Sequence, residues 1–157
     1  MPNANCEEWG KMKKYVVAIV GATGAVGTQM LTCLEEQQFP VGALKLLASP
    51  RSAGKVVSTP WGEVTIEAAA PEAFDGVDIV LGAAEDDVAK ALYPEAVRRG
   101  AVVVDNSHAF RLDEDVPLVI PEINAADALT HKASSPIPTA PPSSAWCRLG
   151  RFTSWPA

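Results

Sequence analysis

The sequence predicts an α/β fold with a Rossmann-like, doubly wound, mostly parallel sheet, and three observations predict it. Apolar runs of strand length alternate with stretches at helical spacing in the order β-α-β-β-α-β. The first strand runs into a glycine-rich turn that opens a helix. A composition of 48% hydrophobic and 20% charged residues over 157 positions suits one soluble globular domain.

Residues 15–20, Tyr15-Val16-Val17-Ala18-Ile19-Val20, form a continuous β-branched run suited to a strand buried on both faces. The chain continues as Gly21-Ala22-Thr23-Gly24-Ala25-Val26-Gly27, with Met30, Leu31 and Leu34 at helical spacing until Phe39-Pro40 stops the helix. A phosphate oxygen reaches a backbone only where Cβ atoms are absent, and the amides of an opening helix turn carry partial positive charge. Gly21, Thr23, Gly24, Ala25, Val26 and Gly27 are therefore candidate dinucleotide-binding residues, and Gly27 would let the helix pack against the strand. The competing reading is a tight turn without a ligand.

A second strand over residues 44–48 leads into Ser49-Pro50-Arg51-Ser52-Ala53-Gly54-Lys55. An NAD site places an acidic residue here for the ribose diol, whereas this loop offers Ser49, Arg51, Ser52 and Lys55, which suit a 2′-phosphate and so NADP. A solvated loop with ordinary surface cations is the alternative. Residues 55–59 and 63–68 flank Pro60-Trp61-Gly62 as a hairpin. Residues 77–82 form another buried strand, after which Asp86 or Asp87 caps a helix reaching about residue 99, with Val88, Leu92 and Val97 on its apolar face. Gly100 closes that helix, and Arg98 and Arg99 suit its last turn.

Residues 101–105 supply one more central strand, ending in Asp105-Asn106-Ser107-His108-Ala109-Phe110-Arg111. Ligands of open parallel sheets collect at such carboxyl ends. Asn106 and Ser107 offer hydrogen bonds toward a nicotinamide or a substrate, and Arg111 is a planar, permanently charged fork for phosphate or carboxylate. The plainer reading is a polar loop after a strand. His108 has no nucleophile or carboxylate constellation beside it and reads as solvated.

Charge and cysteine usage exclude other classes. A net charge of −6 lacks the basic footprint of a nucleic-acid binder. No apolar run reaches the length of about 18 residues that a membrane span needs, and residues 1–12 lack a secretory apolar region. Cys6, Cys33 and Cys147 are widely spaced, which indicates neither a disulfide framework nor a metal site and fits the cytoplasm. Met12-Lys13-Lys14 directly precedes the first strand, so residues 1–12 read as an amino-terminal extension, with the start at Met1 or Met12. All 19 acidic residues precede Ala133, whereas the last 25 residues hold five Pro, five Ser, two Trp and two charges, Arg148 and Arg151. The organisation is thus an extension over 1–12, a dinucleotide-binding domain over 13–132 and a Pro/Ser-rich, disordered tail over 133–157.

The glycine turn, the loop Arg51-Ser52-Ala53-Gly54-Lys55, Asp105-Asn106-Ser107 with Ala109-Phe110-Arg111, and Val116-Pro117-Leu118-Val119-Ile120-Pro121-Glu122-Ile123-Asn124 together resemble the amino-terminal part of aspartate-semialdehyde dehydrogenase. The similarity covers about residues 13–132, and His108 stands where the family often has Ser. The resemblance implies NADPH-dependent reductive dephosphorylation of aspartyl 4-phosphate to aspartate 4-semialdehyde, on the route to lysine, threonine and methionine. It implies that residues 21–27 hold the pyrophosphate, Ser49, Arg51 and Ser52 the 2′-phosphate, and Arg111 the phosphate of an acyl phosphate substrate. The family's nucleophile is a cysteine that forms a thioacyl intermediate, a histidine of the later domain is its acid/base, and the intact enzyme is homo-oligomeric.

That cysteine lies in Gly-Ile-Ile-Ala-Asn-Pro-Asn-Cys-Ser-Thr, which should follow Lys132, where the chain instead reads Ala133-Ser134-Ser135-Pro136-Ile137-Pro138-Thr139-Ala140-Pro141. The family's Lys-Gly-Ile-Ile-Ala-Asn-Pro-Asn-Cys-Ser can be encoded AAG GGC ATC ATC GCC AAT CCC AAC TGC TCC. Dropping one G yields Lys-Ala-Ser-Ser-Pro-Ile-Pro-Thr-Ala-Pro, which is residues 132–141 in order. The expectation is a frameshift at Lys132 or Ala133 that removes the nucleophile and the second domain. Cys33 is then a small buried side chain rather than a nucleophile, and no catalytic residue remains. The family's carboxyl-terminal closing helix would be missing too, leaving apolar sheet surface uncovered and an incomplete, unstable and inactive domain. A fragment of the related N-acetyl-glutamyl-phosphate reductase and a stand-alone NADP-binding module are the alternative readings. Tight NADPH binding would favour the module.

Overall fold

The chain's first strand, β1 (Tyr15–Val20), sends alternate side chains to opposite faces, and both faces find a core. In the computed structural model, which describes residues 13–113, 116, 118–124 and 137–138, Val17 and Ile19 pack on one face with Met30 and Leu34. Ala18 and Val20 pack on the other with Leu92, Tyr93 and Ala96. Burying each such aliphatic side chain is worth about 1.5–3 kcal/mol, so a strand apolar on both sides belongs at the centre of the sheet.

The elements follow in the order α1 (Ala25–Glu36), β2 (Val41–Ala48), β3 (Val56–Thr59), β4 (Gly62–Ala68), a 3₁₀ turn (Pro71–Phe74), β5 (Ile79–Gly82), α2 (Asp86–Arg98), β6 (Val102–Asp105), a single helical turn α3 (Pro121–Asn124) and β7 (Ile137–Pro138). The sheet order is β3-β4-β2-β1-β5-β6-β7, with only the β3–β4 hairpin antiparallel. After β1 the chain goes first to β2 on one side and then to β5 on the other, so the order reverses beside β1. That reversal leaves a crevice at the carboxyl ends of β1 and β5. The predicted α/β doubly wound class therefore holds, with α1 and α2 on opposite faces.

The structure departs from the sequence reading in four places. The buried face of α2 is Ala89, Leu92, Tyr93, Ala96 and Val97, a full i, i+3, i+4, i+7, i+8 stripe, while Val88 is 41% exposed. Small Ala89 and amphipathic Tyr93 hid that stripe in the sequence. Neither Asp86 nor Asp87 caps α2: the cap is Glu85, without a side-chain bond, and both aspartates lie in the first turn, where the helix dipole favours them. Helix α1 ends at Glu36, before Phe39-Pro40, because Gln38 adopts φ +51° and lets the Phe39 N–H bond the Leu34 carbonyl at 2.9 Å. Within the tail read as disordered, Ile137–Pro138 forms a short strand paired in parallel with Val104 and Asp105. The rest of that tail and the extension over 1–12 lie outside the described residues.

The two faces are unequally covered. On the α2 face Val80 and Val103 are fully buried, whereas on the α1 face their neighbours Ile79 and Val104 are only half-buried.

Candidate functional site

Strand register brings three loops to one edge. Val20 pairs with Leu47 on one side and Gly82 on the other, and Gly82 pairs with Asp105. The carboxyl ends of β1, β2, β5 and β6 are thus level, and the segments singled out in the sequence emerge side by side from three of them.

The glycine turn sits where the sheet order reverses. Gly21 has φ +81°, and a Cβ there would lie 2.4 Å from the Ala83 carbonyl oxygen, so only glycine lets β1 turn this close to the end of β5. The Gly21 and Ala22 amides both donate to the Leu47 carbonyl, at 2.8 and 3.2 Å. Gly27 packs the first turn of α1 onto the glycine turn, for a Cβ there would meet the Gly21 carbonyl oxygen at 2.3 Å. Gly24 is the helix cap with no side-chain bond, and no acidic side chain occupies the first turn. Helix geometry gives the amides of Ala25, Val26 and Gly27 no intrahelical acceptor. Thr23, Gly24, Ala25 and Val26 are exposed, so this end offers N–H groups to an anion.

The loop after β2 turns at Ser49, whose carbonyl accepts the Ser52 N–H at 2.9 Å. Its base is tied to β4, with the Gly54 N–H donating to the Ile66 carbonyl and the Ile66 N–H to the Lys55 carbonyl. Ser49 and Arg51 are exposed and Ser52 is half-buried. Among the described residues no carboxylate pairs with Arg51, which leaves the guanidinium available to a phosphate.

The third loop is wound around a carboxylate. Asp105 is fully buried at the end of β6, accepting the Ser107 N–H at 2.8 Å on one oxygen and the Ser107 hydroxyl at 2.6 Å on the other. The Ser107 oxygen in turn accepts the Ala109 N–H at 3.1 Å. Burial pushes the Asp105 carboxyl above its ordinary range, the two Ser107 bonds and the Arg111 charge pull it down, and Asp86 pushes it up. Asp86 also accepts the His108 N–H at 2.9 Å, so α2 grips the loop from outside. The Asn106 N–H donates to the Gly82 carbonyl at 3.1 Å, and its own carbonyl accepts from Arg111 Nη2 at 2.9 Å. Arg111 Nε is buried and finds no hydrogen-bond partner among the described residues. Tyr93 lies beneath, its phenol pushed up by burial and then by the Asp105 charge, with its ring 6.4 Å from that of Phe110.

Asn106 and Arg111 are thus brought together, while His108 is exposed and, among the described residues, held through its backbone. Cys33 is buried in α1, with Gln29 Nε2 donating to its sulfur at 3.7 Å. Cys6 and Cys147 lie outside the described residues, among which no cluster of potential metal ligands occurs. Sequence reasoning missed Asp105, Asp86 and Tyr93. The available signal was an Asp ending an apolar strand two residues before a Ser, the pattern of a side chain that bonds the backbone ahead of it.

Residues 16–131 match the family described as semialdehyde dehydrogenase, NAD binding domain. Among curated proteins the chain is similar to the aspartate-semialdehyde dehydrogenase of Bacillus subtilis, 55% identical over 115 residues that make 73% of this chain and 33% of that one. It is similar to that of Aquifex aeolicus at 49% over 119 residues, 75% of this chain and 35% of that one. The chain therefore spans about a third of the length of the curated relatives it matches. Among solved structures, aspartate semialdehyde dehydrogenase II of Vibrio cholerae complexed with ASA superposes with a TM-score of 0.76 at 40% identity, over 81% of this chain and 42% of that one. The Candida albicans enzyme with NADP superposes with a TM-score of 0.66 at 26% identity, over 85% and 44%.

Proposed function

Because the chain belongs to the semialdehyde dehydrogenase family, through that family's NAD-binding domain, we propose that it is the cofactor-binding part of an NADP-dependent aspartate-semialdehyde dehydrogenase. The whole reaction would reduce aspartyl 4-phosphate to aspartate 4-semialdehyde with release of phosphate. The observation that carries this reading is the levelling of three anion-ready loops at the carboxyl ends of β1, β2 and β6.

The residues fit a dinucleotide. Gly21 and Gly27 let the turn after β1 and the first turn of α1 close against neighbouring backbone, and the exposed first-turn amides of α1 would meet a pyrophosphate without a competing carboxylate. Ser49, Arg51 and Ser52 would take the 2′-phosphate, an assignment favoured by the exposed position of the Arg51 side chain and by the Candida albicans relative, which was solved with NADP. The bound nicotinamide supplies the hydride. Asn106 would hydrogen-bond its amide or the substrate, and Arg111 would bind the substrate phosphate, its guanidinium steadied by the Asn106 carbonyl. The Vibrio cholerae relative, complexed with ASA, supports the substrate class.

On the same reading the intact enzyme is cytoplasmic and homo-oligomeric, and acts on a small acyl phosphate rather than on nucleic acid or a membrane. Among the described residues no helix is long and apolar enough to cross a membrane. The sequence after Lys132 reads as the family's cysteine motif out of frame, and Cys33, buried in α1, cannot replace that nucleophile.

Two measurements test the proposal. Calorimetry on the protein with the frame after Lys132 restored should find NADPH binding more tightly than NADH; equal affinities would overturn the NADP assignment. Phosphate-dependent oxidation of aspartate semialdehyde should be absent from the chain and present once the frame after Lys132 is restored. A restored frame that remains inactive would overturn the enzymatic reading.

A further inference from the structure

We propose that the buried Asp105 carboxylate is a positioning residue, which fixes Ser107 through two hydrogen bonds and so winds the loop that sets the Asn106 carbonyl against Arg111 and aims its guanidinium. The inference rests on the reading of Arg111 as the ligand of the substrate phosphate.

An arginine side chain with four rotatable bonds loses much of its value as an anion ligand unless something holds it. Here the hold is indirect. Asp105 is fully buried and Ser107 is 7% exposed, so the hydrogen bonds at 2.8 and 2.6 Å are shielded from water. Ser107 passes the constraint forward by accepting the Ala109 N–H, and Asp86 anchors the intervening His108 N–H from α2. Residues 105–109 are held by these four bonds and by the Asn106 N–H on the Gly82 carbonyl, and the Asn106 carbonyl accepts from Arg111 Nη2 at 2.9 Å. The guanidinium then keeps its remaining Nη N–H groups for a ligand. Asp105 itself would not touch substrate. Its negative charge also faces the guanidinium, which is why Arg111 pulls the carboxyl pKa down against the upward push of burial.

The test reads Arg111 directly. The 157-residue chain contains six arginines, and in its ¹⁵N spectrum at saturating NADP the Nε–H of Arg111, assigned through Arg111→Lys, should be shifted from the other five and slow to exchange. Asp105→Asn, which keeps the shape but not the paired acceptors, should move that resonance to the solvent-exchanging position. It should also weaken inorganic phosphate binding to the NADP-saturated chain at least tenfold, and by more than it weakens NADP binding. Ser107→Ala should give a smaller change in the same direction, and it carries the test alone if Asp105→Asn does not fold. An unchanged Arg111 resonance in the variants that fold would overturn the proposal, as would a loss of phosphate affinity no greater than the loss of NADP affinity. If the resonance moves but Arg111→Lys leaves phosphate affinity intact, the positioning role stands and the phosphate-ligand reading fails.

Discussion

Gly27 stands so close to Gly21 that a Cβ on it would sit 2.3 Å from the Gly21 carbonyl oxygen and 2.8 Å from the Ala22 Cα. Both obstacles are backbone, and that backbone is held by the bonds of Gly21 and Ala22 to Leu47, so no side-chain rotation relieves the clash. Gly27→Ala should therefore push α1 off the turn, lowering unfolding free energy by at least about 2 kcal/mol in urea titrations. The amides of the first helical turn move with it, so NADPH affinity should fall well beyond the effect on stability. A variant with wild-type NADPH affinity would mean that the pyrophosphate is held elsewhere.

Arg51→Ala separates the two nicotinamide cofactors. Arg51 is exposed on a loop whose base is tied to β4, so its removal should leave the fold and the glycine turn unchanged. A charge-assisted bond to phosphate is worth about 1.5–3 kcal/mol, which corresponds to a loss of roughly tenfold to a hundredfold in NADPH affinity. NADH, without a 2′-phosphate, should lose little, and calorimetry with both cofactors checks the difference.

Strand positions were legible because β1, β5 and β6 are nearly unbroken apolar runs, and the glycine turn because its residues have few other uses at the end of a buried strand. The helix faces were harder. In α2 the stripe includes Ala89, which carries little hydrophobic signal, while Val88, more apolar by type, points to water. Asp105 was harder still, for its meaning depends on burial and on a partner two residues ahead, which no periodicity reveals. The short pairing of Ile137–Pro138 with β6 was hidden by the surrounding prolines, which favour a structureless reading although a proline can sit at the edge of a sheet.

Asp105 also makes a pH prediction. Its folded-state pKa is raised by burial, so the folded state holds a proton to higher pH than the unfolded chain does. Its contribution to stability is then fully present below the ordinary aspartate range and is lost as pH rises through the folded value. Comparison with Asp105→Asn, which does not titrate, cancels the other groups. The stability of the wild type relative to Asp105→Asn should decline as pH is raised from about 4 toward 7. Urea denaturation across that range measures it, and a wild-type advantage that grows with pH would reverse the assignment.

Gly82 and Tyr93 meet in the same region from β5 and α2. A Cβ on Gly82 would lie 2.5 Å from the Tyr93 hydroxyl oxygen and 2.7 Å from Cζ, and Tyr93 is fully buried, so the ring has little room to retreat. Gly82→Ala should cost about 1–3 kcal/mol of stability. The nearest obstacle is the hydroxyl, so Tyr93→Phe in the same chain should recover part of that loss, though not all, because the ring carbons remain. A double-mutant cycle in urea gives the coupling, and additive effects would show that the alanine is accommodated by movement of β5 instead. Gly82 accepts the Asn106 N–H and pairs with Asp105, so such a movement of β5 would shift the 105–111 loop and register in the Arg111 Nε–H resonance, whereas retreat of the Tyr93 ring alone would not.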